Sequence, residues 1–236
     1  MLQELAHLEG NGRRLSEADV SLLCKALLIH GADWGDFYKE YIEIFPGADR
    51  DAITKFFGYG KANVNKVMGC PSNRATLLGF GDLGDGEGDC YQIPLPPSLS
   101  GQQGRRRITV TLAWHTPITS RHRAYRQAFL WFSGYDNRDD GDFGDRLRVN
   151  RLCCDWQTVR RGTIQHEIFE GDSTVAFSAQ DNLPLKINCK AEFGKLSAKI
   201  PYAVAVTIEV AEGINLPIYQ EINEKVRLQV AARTRV

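Results

Sequence analysis

The hydrophobic period of this chain changes once, near Cys70-Pro71, and that change decides most of what it can fold into. Before it, apolar residues recur every three or four positions, as on a helix face. After it they alternate, as on a strand with one side buried. The pattern predicts an α+β chain, with an N-terminal helical segment over 1–69 and an antiparallel β-sandwich or jelly roll over 70–236. At 236 residues the chain is long enough to bury a sizeable core.

In the first part, Leu2, Leu5 and Leu8 form a stripe that Gly10-Asn11-Gly12 stops. Ser16 suits an N-cap, and Glu17 and Asp19 complement the positive end of the helix dipole. Val20, Leu23, Leu27 and Leu28 supply one face, Ala26 and Ile29 widen it, and Gly31 ends the helix. A helix so nearly apolar all round is usually buried inside a larger protein. Further helices are expected over 34–44, 49–57 and 64–68.

In the second part, eight strands are expected, over 74–79, 89–95, 107–114, 126–132, 156–168, 174–178, 185–191 and 202–209. Ile108, Val110, Leu112 and Trp114 alternate with polar or small residues, and so do Val204, Val206, Ile208 and Val210. Residues 216–230 fit either a short helix or a closing strand.

Three stretches together resemble the C-terminal end of the subtilisin-like serine proteases (subtilases). Cys24-Lys25-Ala26-Leu27-Leu28-Ile29-His30-Gly31-Ala32 is similar to the helix that follows the nucleophile helix in that family. Gly58-Tyr59-Gly60, followed by 64–68, looks like the entry to the family's last core helix. Ile108-Thr109-Val110-Thr111-Leu112-Ala113-Trp114, with Pro94-Leu95-Pro96-Pro97 before it and Thr116-Pro117 after, is similar to a strand of the β-sandwich domains fused behind some subtilase cores. The resemblance implies that residues 1–69 are the end of a catalytic domain, with Met1 to Glu9 as trailing turns of the nucleophile helix. It implies an upstream partner, in the same parent chain or a complementing one, that carries an Asp-His-Ser triad and handles protein or peptide substrates. It also implies that the face of Leu23, Leu27 and Leu28 lacks its natural cover, a parallel sheet.

No catalytic residue is expected within this chain. The subtilase Gly-Thr-Ser-x-Ala motif is absent, as is Gly-x-Ser-x-Gly, and no serine sits beside a recognisable base. His30 lies on an apolar helix as a structural residue, His166 alternates outward from a strand, and His115 and His122 flank a polar loop. The rival reading is a self-contained β-sandwich module that binds protein or carbohydrate, with Tyr125, Trp131, Tyr135 and Trp156 as stacking candidates.

No cofactor is expected other than calcium, for which two acidic, glycine-rich loops offer oxygen ligands. Asp82, Asp85, Glu87 and Asp89 form the first, and Asp136, Asp140, Asp142 and Asp145 the second; neither has EF-hand spacing, and hydrated hairpin turns explain both. Lys plus Arg and Asp plus Glu number 29 each, so no net field draws the chain to nucleic acid. No apolar run approaches the roughly 18 residues that span a bilayer. The six cysteines include no Cys-x-x-Cys and fit reduced thiols in a bacterial cytoplasm, with Cys24 and Cys189 acting as small hydrophobes.

Overall fold

The computed structural model describes residues 15–35, 37–46, 57–120, 125–134, 147–153, 162–211 and 213–233. The fold is β-rich α+β, and every pairing among the described strands is antiparallel. The first described helix, α1 (Glu17–His30), leads to β1 (Ala32–Asp33), α2 (Phe37–Ile44), β2 (Lys61–Ala62) and α3 (Asn65–Met68). The strands that follow are β3 (Arg74–Leu83), β4 (Gly88–Pro94), β5 (Arg106–Trp114), β6 (Ala128–Gly134), β7 (Asn150–Cys153), β8 (Ile164–Gly171), β9 (Asn182–Ala191) and β10 (Ile200–Val210). The chain then forms α4 (Ile218–Arg233).

The strands make a five-stranded sheet in the order β3-β10-β5-β8-β7 and a three-stranded sheet in the order β4-β9-β6. One apolar cluster draws on both. Ile108, Val110, Leu112 and Trp114 of β5 and Val204, Val206 and Ile208 of β10 join Leu130 of β6 and Leu185 and Ile187 of β9. The sheets are also joined by a polar link, in which the hydroxyl of Tyr202 in β10 lies 2.7 Å from that of Tyr91 in β4 and donates to Asp89. Burial raises both phenols, Tyr91 to about 12. Helix α4 settles the ambiguity over 216–230: Ile218 and Ile222 are buried and Val226 partly so, the i, i+4, i+8 stripe of a helix on the core.

The capping expected at Ser16 is present as a capping box. Ser16 Oγ accepts from the Asp19 N–H at 3.2 Å, and Asp19 Oδ2 accepts from the Ser16 N–H at 2.8 Å. The buried face of α1 differs from the expected one. It runs through Leu22, Leu23 and Ala26 to His30, while Leu28 is 56% exposed and Cys24 is exposed. That face also has a cover within the chain. It packs on Phe80, Ala113 and Ala203, on the outer side of the five-stranded sheet, and no parallel sheet is involved.

Other corrections are local. Residues 174–178 form no strand: Phe177 exchanges hydrogen bonds with the Ser100 hydroxyl, and the Val175 carbonyl accepts from the Gly101 N–H, so the backbone is spent on a neighbouring turn. The expected strand over 156–168 starts at Ile164 within the described residues; 154–161 lie outside them. The expected helix over 34–44 starts at Phe37, and residues 49–56 of the expected 49–57 helix lie outside the described residues. No described helix is long and apolar enough to cross a membrane.

Candidate functional site

Below α1 lies a polar seam assembled from five elements by strand register. Thr111 of β5 stands opposite His166 of β8, and Thr207 of β10 stands opposite Thr76 of β3. All four occupy the sheet face that α1 covers, and the last residue of α1, His30, is inserted between the two pairs. Its Nδ1 lies 2.8 Å from Thr111 Oγ1 and its Nε2 2.6 Å from Thr207 Oγ1. The chain continues from Thr111 Oγ1 to His166 Nδ1 at 2.7 Å and from Thr207 Oγ1 to Thr76 Oγ1 at 2.7 Å. Tyr59, of the Gly58-Tyr59-Gly60 turn, meets the His166 ring edge-on at 5.5 Å.

Both imidazoles are buried, and burial is the main reason that their protonation is suppressed. His30 falls to about 3, with His166 and Arg74 adding repulsion; His166 falls to about 4, with Arg107 adding repulsion. The expected outward His166 is therefore corrected: it is only 2% exposed, because α1 buries the second face of the sheet. Its Nε2 has no hydrogen-bond partner.

Beside His30 a narrow cleft of about 20 Å³ is lined by Asp33, Lys66, Arg74, Arg107, Thr109 and Glu209. That is room for about one water. Its charges are matched: Lys66 pairs with Asp33, and Arg74 and Arg107 approach Glu209 at 3.9 and 3.7 Å. Arg107 also pairs with Glu170, which binds Arg105 at 2.7 Å. A hydroxyl next to an imidazole suggests nucleophile and base, but a base near 3 in a cleft this small neither takes a hydroxyl proton at neutral pH nor admits a peptide. The seam holds α1 in place. Lys25 adds a second tie, its Nζ donating to the carbonyls of Trp114 and Thr163 and to Thr163 Oγ1 at 3.1, 3.2 and 2.6 Å.

Thr111→Val keeps the shape and removes the hydroxyl shared by both rings. It should cost about 2 kcal/mol or more, because buried ring nitrogens then lack partners. Urea unfolding measures this, and a cost no larger than that of an exposed Thr→Val change would contradict the assignment.

The first group of calcium candidates is spread over a turn and engaged locally. Asp85 accepts from the Ala191 N–H, Glu87 accepts from the Gly84 N–H and pairs with Lys199 at 2.9 Å, and Asp89 accepts from Tyr202. Asp82 lies on β3. Among the described residues no group of three or more His, Cys, Asp or Glu is placed to hold a metal. Asp136, Asp140, Asp142 and Asp145 lie outside the described residues, as do His122, Tyr135 and Trp156. His115 and Tyr125 are exposed, and Trp131 stacks on Phe129 at 5.2 Å. Cys189 is buried, which with nearby Asp85 and Glu87 pushes its thiol up to about 11.

Sequence reasoning placed His30 on an apolar helix face but missed its hydrogen-bond partners. The available signal was Thr111 and Thr207 standing among the alanines Ala113, Ala203 and Ala205, on the strand faces opposite the valines and isoleucines. Compared with known proteins, the chain matches no family model and no curated protein.

Proposed function

We propose that this chain is the non-catalytic C-terminal portion of a subtilisin-like serine endopeptidase, a helical segment docked on a β-sandwich accessory domain. In this reading the Asp-His-Ser triad belongs to an upstream portion in a bacterial cytoplasm, and this chain supports that portion and positions its protein substrate. The observation that carries the reading is where apolar surface is left open. Of ten exposed large hydrophobics among the described residues, seven fall between positions 28 and 68: Leu28, Phe37, Ile44, Phe45, Phe57, Val64 and Met68. Exposed apolar surface concentrated in one region marks a protein contact, and this region carries two of the three subtilase-like motifs.

The test is a fluorophosphonate serine probe. The chain alone is expected to stay unlabelled, and a tagged copy purified from its own host is expected to bring with it a probe-reactive serine, in the same polypeptide or in a bound one. Stoichiometric labelling of residues 1–236 themselves, or purification with no probe-reactive serine, would reject the reading.

One observation favours a second reading, a self-contained β-sandwich binding module. The buried face of α1 is already covered by the chain's own sheet, so no missing element is needed there. A monomer that purifies without a protease portion and is retained by an immobilised glycan or peptide would support it.

A further inference from the structure

We propose that α1 is an acid-released latch: protons entering the His30–Thr111–His166 chain free the helix from the sheet while the two-sheet core remains folded. This does not depend on the protease reading.

A neutral imidazole has one donor and one acceptor, and each threonine hydroxyl has one proton to give. The five-membered chain therefore runs in one of two directions, from Thr76 towards His166 or back. A first proton, on His166, can be accommodated: its Nδ1–H donates to Thr111, Thr111 donates to His30 Nδ1, and His30 Nε2–H donates to Thr207. A second proton, on His30, cannot. Thr111 Oγ1 would then face two N–H donors, and its own proton would have no acceptor among them. The two cations would sit on rings 6.5 Å apart.

The surroundings offer no compensation. The charged groups facing His30 are Arg74 from β3, Arg107 from β5, Glu209 from β10, Asp33 from β1 and Lys66 from α3. From β8 comes His166, and on α1 itself Lys25 is already spent on backbone carbonyls. Glu209 is shared by Arg74 and Arg107, and Asp33 is taken by Lys66. A buried imidazolium here meets three cations and two carboxylates that are already paired.

The helix can leave cheaply. The apolar cluster beneath it, formed by Leu22, Leu23, Ala26, Phe80, Ala113 and Ala203, is separate from the main core. Helix α1 contributes no strand to either sheet, so its release breaks no ladder hydrogen bond. The sign follows from the folded values, about 3 and about 4, both below the ordinary 6.5. The docked state is fully favoured above about 6.5 and loses ground as pH falls from there, by about tenfold in the open-to-docked ratio per pH unit for each proton taken up.

Hydrogen exchange on the full chain, corrected for the intrinsic effect of pH, tests this. Protection of residues 17–30 should hold steady down to about pH 6.5 and then fall by about tenfold per unit or more towards about pH 4.5, with β4, β6 and β9 unchanged. His30→Gln combined with His166→Gln keeps hydrogen-bonding groups that do not titrate, and should flatten that dependence. If the double variant does not fold, nitrogen shifts of the two rings in the unaltered protein decide. Rings that gain protons over the range in which α1 opens support the latch, and rings that stay neutral through the opening overturn it. Protection of α1 that ignores pH, or that is lost only together with the three-stranded sheet, also overturns it.

Discussion

Replacing Trp114 by alanine is expected to remove about 3–5 kcal/mol of stability, a large part of what a domain of this kind has. Among the described residues Trp114 is the largest fully buried side chain, at the end of β5, inside the cluster that draws on both sheets. Its removal leaves a cavity in that cluster, whose backbone is held by strand pairing and closes over the gap only in part. A second substitution separates shape from chemistry. Trp114 Nε1 is buried with no hydrogen-bond partner, so Trp114→Phe loses volume but also removes an unsatisfied donor, and should cost well under half as much. Urea denaturation reads both. A loss below about 1 kcal/mol for Trp114→Ala would mean that this end of the core is loosely packed.

The second large effect concerns two glycines in one turn. Gly60 has φ +93, and a Cβ there would lie well inside contact distance of the Asp33 carbonyl oxygen and 2.7 Å from Trp34 Cδ1. It sits where β1 and β2 pair, Asp33 opposite Lys61. Gly60→Ala must both strain the backbone and push the two short strands apart, and should cost about 3 kcal/mol or more. Gly58, with φ +60 and nothing within 4 Å of a Cβ, faces only the conformational term, about 1 kcal/mol. Equal losses in thermal or urea melts would show that close approach at Gly60 does not matter.

These residues also mark what the sequence made legible. Ser16 capped its helix because serine three residues before aspartate has a local meaning that needs no tertiary partner. The strands around Ile108–Trp114 and Val204–Val210 were readable because their alternation faces one large core. The errors lie on the other side of the same sheet. Alternation tells which residues share a face but not whether that face is wet, and α1 makes the outer face of β5, β8 and β10 a second interior. His166 therefore looked solvent-facing, and Leu27 and Leu28 looked as buried as Leu23. The Thr–His chain was out of reach for a further reason. Its members are at positions 30, 76, 111, 166 and 207, and only the registers Thr111↔His166 and Thr207↔Thr76 bring them together. The Val175 segment failed because β-branched and aromatic content marks a wish for burial, which a turn carrying Ser100 met without a ladder.

The placement of β10 has a consequence for how this chain is made. It is the latest strand in sequence among the described residues, yet it lies between β3 and β5 and pairs with both over nearly its whole length. On the ribosome, β3 emerges more than a hundred residues before the strand that completes its pairing. Until then the facing edges of β3 and β5 carry unpaired amides and carbonyls beside apolar side chains. Folding of the five-stranded sheet therefore waits for β10, is dominated by long-range closure, and is slow. Nascent chains stalled before Ile200 should be held by chaperones or aggregate, whereas those released after Val210 has cleared the exit tunnel can close the sheet in one step.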